Sequence, residues 1–310
     1  MNTPVNAVPE FPDDSQATAT PAMTPTRPVY WSVRRELWEN RSLYLAPLIV
    51  AAVFLFGFLV SMIHLRERSR DLSLLGPAQQ RAAMEQPYDI LAMLLILTVV
   101  LVGVFYCLDA LHGERRDRSI LFWKSLPVSD LTTVLSKASI PIVILPLLTF
   151  AIIVATQLIM LLLSIAIVPI DGLATSAWIP FFQRSLALLY GLIVIALWHA
   201  PLYGWLLLVS GWARRTTFLW AVLPPIALCI VEKIAFNTSH LASLLKYRLF
   251  GFSAEAFAFD ANGATHGAVD SLSQLTPGKF LGSPGLWIGL AFAAAFLAVA
   301  VRLRRDRSPI

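Results

Sequence analysis

Charge and bulk meet abruptly between residues 108 and 130. The run Glu114-Arg115-Arg116-Asp117-Arg118 is followed almost at once by Ile120-Leu121-Phe122-Trp123, then Lys124-Ser125-Leu126-Pro127. Pro127 stops a helix, and Ser129 is placed to cap the next one. Water disfavours exposing four bulky apolar residues together, so the group needs a membrane surface or a protein partner. A groove that accepts a short helix is the partner geometry that fits. Phe122 and Trp123 are then the anchors, supported by Ile120, Leu121 and Leu126. Glu114, Arg115 and Arg118 are expected around the rim. An ordinary interfacial helix is the alternative.

Other chemistry is sparse. Gly278-Lys279 lacks both the upstream glycine and the following Ser or Thr of a phosphate-binding loop. No H-E-x-x-H occurs, and His64, His112, His199, His240 and His266 are too scattered to suggest a metal site. Cys107 and Cys229 both lie in apolar runs and read as small packing residues. The expectation is a chain with no catalytic residues and no metal or cofactor of its own. Gln157 and His199 lie deepest within apolar runs, where a helix-packing hydrogen bond is the plain expectation. Glu232 and Lys233 are expected to reach for an interface.

These residues sit among elements built for lipid. Hydrophobic residues make up 57% of the chain and charged ones 14%, against about 25% charged in an average soluble domain. Uncharged runs cover Ala46–Met62, Ile90–Leu108, Ile140–Ile170, Ser185–Trp212, Thr216–Val231 and Phe280–Val301. Several approach the ~20 residues a helix needs to cross the hydrocarbon core. They are continuously apolar rather than alternating, which excludes a transmembrane barrel. A soluble helical domain could not hide six of them. The predicted fold is an all-α integral membrane protein with six transmembrane helices.

Residues 1–28, rich in Pro, Thr and Ala, read as a disordered tail ahead of a single membrane domain at 29–310. Before the first span, Tyr30, Trp31, Val33, Leu37, Trp38 and Tyr44 share one helical arc of roughly 160°. Arg34 and Arg41 intrude on it, which suits an interfacial helix. With the N-terminus cytoplasmic, fifteen Lys and Arg fall on inner segments and eight on outer ones. That asymmetry places both termini and the 109–139 loop inside. The net charge of +5 is therefore read as membrane topology, with no nucleic-acid partner. The last outer connection, about 237–279, is long, and Leu241–Phe250 is apolar enough for a short helix.

The pattern Glu114-Arg115, Ser119-Ile120-Leu121, Lys124-Ser125-Leu126-Pro127-Val128-Ser129 and Lys137 resembles the cytoplasmic loop of ABC-2 type transporter permeases. The interfacial helix, six spans and long outer segment extend the resemblance over residues 29–310. It implies that the loop between spans two and three is a coupling helix docking on a separate ABC ATPase. ATP and Mg would be held by that partner. It further implies a homodimer with contacts through span one or five, export as the direction, and residence in the cell's inner (plasma) membrane. The uncharged spans suit a lipid, hydrophobic peptide or amphipathic drug better than a sugar or ion. A secondary transporter or channel-like protein without an ATPase is the alternative function. A membrane-embedded enzyme lacks its constellation.

The charge asymmetry makes a topological prediction. In a background lacking Cys107 and Cys229, a cysteine at position 119 should resist a membrane-impermeant reagent applied to intact cells. Labelling from outside would reverse the orientation.

Overall fold

The computed structural model describes residues 26–72, 76–117, 129–167, 173–258 and 274–306. Among them the chain is helical apart from one antiparallel bridge, Phe257 to Leu275. Six helices are long and apolar enough to cross a membrane: Ser42–Met62, Met84–Arg116, Asp130–Ala166, Trp178–Trp212, Thr217–Phe236 and Pro284–Asp306. Each contains most or all of one predicted run, so the protein is a multi-pass membrane protein. The spans outgrow the uncharged runs because flanking charged residues continue the same helices.

Helix α1 (Thr26–Glu39) precedes the first span. It begins inside the expected 1–28 tail, since proline is tolerated in a helix's first turn; residues 1–25 lie outside the described residues. Helices α2 (Ser42–Leu72) and α3 (Pro77–Ala110) carry spans one and two, and α4 (His112–Arg116) finishes span two. Span three joins α5 (Asp130–Ser139) to α6 (Leu145–Ile167) through a π-helical turn at Ile140–Ile144. Pro141 lacks an N–H, and the ladder slips there, so that the Leu145 N–H reaches Ile140 O. Helix α7 (Leu173–Trp212) is span four and α8 (Thr217–Phe236) is span five. Both run unbroken through Pro201 and Pro224-Pro225. Three short helices follow, α9 (His240–Phe250), α10 (Phe252–Ala256) and α11 (Pro277–Gly282), before α12 (Pro284–Asp306), span six. The expected helix at Leu241–Phe250 is α9; most of the polar stretch after it, residues 259–273, lies outside the described residues.

Span four is the hub. Of its apolar window 61% is buried, against 11% for span five, and it packs most extensively against span six. A Cβ on Gly204 would lie 3.3 Å from Ala293 O. Small residues thus let the two backbones close up, which is how helices associate where lipid removes the hydrophobic drive. Gln157 Nε2 donates to Tyr88 O at 3.2 Å, tying span three to span two. His199 sits 2.8 Å from Ile195 O and 3.3 Å from Leu249 O, tying span four to α9. Both are packing bonds, as expected.

The two ends of the bundle differ. The near end carries both described chain termini. At the far end the span five–six connection folds over span four, burying Trp198, Ala256, Phe280 and Leu286. Glu232 is engaged within the chain. Its carboxylate accepts from Thr238 Oγ1 (2.8 Å) and from the backbone N–H groups of His240 (2.7 Å) and Leu241 (2.8 Å). It thereby caps α9 with a carboxylate at the helix N-terminus. Asn237, at φ 52°, supplies the left-handed residue that ends span five.

Arg248 closes this end. Its guanidinium lies 4.8 Å from the Trp198 ring centroid and donates to Gly285 O at 3.0 Å. The Trp198 indole N–H returns a bond to Arg248 O at 3.0 Å. Space for the guanidinium exists because residue 289 is glycine: a Cβ there would collide with the head group of Arg248. Gly289→Ala should therefore displace the Arg248 head group and cost about 1 kcal/mol, the order of its bond to Gly285 O and its contact with the Trp198 ring. Thermal unfolding in detergent should show a lower midpoint for Gly289→Ala. Gly57→Ala, where a Cβ meets nothing within 4 Å, should be neutral. Equal midpoints for both would show that Arg248 is not a lock.

Candidate functional site

The near end gathers charges that the sequence scatters over 270 residues. The gathering begins with α1. Val33, Glu36, Leu37 and Asn40 recur at helical spacing and form its inward stripe, with Val33 and Leu37 against the near-end core. Tyr30, Trp31 and Trp38 lie on the outer side and are exposed. Arg34 lies between the two tryptophans, 5.2 Å from the Trp31 ring centroid and 5.1 Å from that of Trp38. The arc read from the sequence is thus divided: Val33 and Leu37 pack inward while Tyr30, Trp31 and Trp38 face out.

Glu36 is 1% exposed and fully engaged. It accepts from Lys137 Nζ (2.8 Å), Arg35 Nη2 (2.8 Å) and the Tyr106 hydroxyl (2.9 Å). Glu114, in the last turn of span two, is the second buried acid. Arg35 Nη2 lies 3.0 Å away, Lys137 Nζ 3.2 Å and Arg304 Nη2 3.1 Å. Arg304 also approaches Asp130 at 3.6 Å. With Glu39, 3.4 Å from Arg35 Nε, four carboxylates and three cations from α1, α4, α5 and α12 therefore form one network. Burial alone pushes the Glu36 carboxyl up, but Lys137, Arg35 and Tyr106 overcome this and hold it below the usual range.

Arg115 is used differently. Its Nη1 donates to Gly211 O at 2.9 Å and lies 3.4 Å from Ala213 O, at the C-terminal end of span four. A cation at a helix C-terminus meets the unsatisfied carbonyls and the negative end of the dipole. Ser210 Oγ accepts from the backbone N–H groups of Leu111 (3.0 Å) and His112 (2.9 Å). The turn that ends span two is thus fastened to span four by its backbone and to α1, span three and span six by Glu114.

Glu114 and Arg115, expected as rim charges, are placed inside the chain, 9% and 6% exposed. Arg118, Ile120, Leu121, Phe122, Trp123 and Leu126 lie outside the described residues. On the other side of that segment Ser129 Oγ accepts from Thr132 N at 3.1 Å, the cap expected of it. Reading by motif missed Glu36, Tyr106, Asp130 and Arg304. For Glu36 a signal existed: an acid on the same helical stripe as Val33 and Leu37.

Among the described residues no group of three or more His, Cys, Asp and Glu is arranged to hold a metal. Glu36 and Glu114 are each bonded to cations from other helices, so the site ties the positions of α1 and spans two, three and six, and Arg115 adds span four. Comparison with known proteins finds no matching family model, no matching curated protein and no matching solved structure. What the fold defines is the class, a six-span α-helical membrane protein with a buried charge network at one end.

The network predicts a stability profile. The Glu36 carboxyl is depressed in the folded state. Its stabilisation is therefore complete above the ordinary carboxylate value of about 4.3 and lost as pH falls through the lowered one. Glu36→Gln removes one partner from a buried pair, which costs about 3–5 kcal/mol. Adding Lys137→Met should restore much of this, because Glu114 keeps Arg35 and Arg304. Equilibrium unfolding in mixed micelles at pH 7 measures both. A wild-type midpoint for the single variant would show that the network bears no load.

Proposed function

We propose that this chain is the membrane permease subunit of an ATP-driven exporter of the ABC-2 type. Two copies form the substrate path, and a separate ATPase docks on the Ser119–Leu126 segment. The observation that supports this most directly is the anchoring of both flanks of that segment. On one side Glu114 and Arg115 are bonded into spans three, four and six. On the other, Asp130 and Lys137 belong to span three and the same ion-pair network. A push on the segment would be delivered to four spans and α1 at once, as coupling to a distant motor requires.

In this reading Phe122 and Trp123 seat in the ATPase, with Ile120, Leu121 and Leu126 filling in around them. Glu114 and Arg115 act as the hinge pins behind the docking segment, and Arg118 is left for the rim. Helix α1 lies in the inner membrane interface, its Trp31–Arg34–Trp38 stack at headgroup level. The near end is cytoplasmic, ATP and Mg belong to the partner, and the chain itself carries out no catalysis.

Aromatic anchors at an interface centre commonly cost about 2 kcal/mol or more when cut to alanine, equivalent to about 30-fold in affinity. Trp123→Ala and Phe122→Ala should lose the ATPase on copurification by that order and abolish substrate-stimulated ATP turnover. Lys124→Ala should change little. Both aromatic variants retaining partner and turnover at wild-type levels would reduce the segment to an interfacial helix and remove the exporter reading.

A further inference from the structure

The hairpin at the far end of span five leaves a groove between α8 and α9, with a volume of about 430 Å³. It is open along its length, and Ile226, Ile230, Leu249 and Phe250 are exposed. Its walls are almost wholly apolar: Ile226, Cys229, Leu249 and Phe250 line it together with the aliphatic stems of Lys233 and Lys246. Neither ammonium has an ion-pair or hydrogen-bond partner among the described residues. The nearest acid in sequence, Glu232, is turned to the cap of α9, where it accepts from Thr238, His240 and Leu241. The device that folds α9 back over span five thus also leaves an apolar groove beside two lysines.

We propose that this groove binds one anionic phospholipid. Its phosphate meets Lys233 and Lys246, and an acyl chain lies along Ile226, Leu249 and Phe250. Two lysines near the end of span five suit a headgroup phosphate, and the apolar walls suit an acyl chain. A zwitterionic lipid is the poorer fit, since no carboxylate in the groove is free to receive its cationic group. A second copy of this chain is also disfavoured. A two-fold contact across the groove would bring the same lysines of both copies face to face. The site rests on the α8–α9 geometry alone and does not require the ATPase.

Cys229 in the groove reports occupancy. The other cysteine, Cys107, is fully buried and can be replaced by alanine. In the full-length Cys107→Ala protein in detergent, the rate of N-ethylmaleimide labelling at Cys229 is followed as lipid is added. Dioleoylphosphatidylglycerol should protect Cys229 at about 30-fold lower concentration than dioleoylphosphatidylcholine. That ratio is what two surface lysines contribute at about 1 kcal/mol each. Lys233→Gln with Lys246→Gln should erase the difference between the lipids. The lipid comparison on the unmutated lysines stands even if that variant folds poorly. Equal protection by both lipids, or a preference that survives the double substitution, would overturn the proposal. So would full protection by inorganic phosphate alone, which indicates a free-anion site. Protection without lipid that rises with protein concentration assigns the groove to a second copy and overturns it too. Cys229 unreactive in lipid-free protein would mean that the groove is closed to ligands, and the proposal would fall.

Discussion

The near end depends on two buried carboxylates that cannot lose their cations without a large penalty. Removing a charge from water costs several kcal/mol per ion, and the cost is recovered only when geometry and hydrogen bonding are complete. Glu36 and Glu114 are held together, because Lys137 and Arg35 contact both. Arg304 then draws in span six, and Asp130 the start of span three. Each helix in the group is held by a partner that is itself held. Sliding one span past another would strand a charge in a dry interior, so the near end is specified more tightly than apolar packing alone could achieve.

Lipid-facing helices gain little from hiding apolar surface, since lipid tails are as apolar as leucine. The association energy has to come from close contact and from polar bonds made across helices. Span four collects both kinds. Gly204 lets span six approach, Ser210 and the carbonyls at its end hold the turn that ends span two, and Trp198 and His199 receive α9. Span five takes little part in this. It leaves the hub as a nearly unsupported apolar helix and is turned back at its far end by Glu232.

Much of the architecture was legible from residue order alone, because crossing a bilayer is a constraint on length and composition. Six uncharged runs became six spans, Ser129 became a cap, and the residues before span one became an amphipathic helix. Reading the arc of α1 as one face was where it fell short. Periodicity places Val33 and Leu37 beside Trp31 and Trp38 without saying which edge meets protein and which meets the outside. The cap made by Glu232 was missed for a related reason: a carboxylate near a span end could snorkel or cap, and only the turn at Asn237 brings the N-terminus of α9 within its reach.

By itself, then, the sequence determined that this is a six-span helical membrane protein with a charged, bulky segment between spans two and three. Those features follow from local composition, which acts over one helix at a time. Only the tertiary structure decided that Glu36, Glu114, Lys137 and Arg304 form one unit and that span four is the hub. It likewise decided that Lys233 and Lys246 face a common groove. Such pairings join residues up to 190 positions apart. They are set by how helices pack across one another, and no periodicity within a single helix encodes its neighbour.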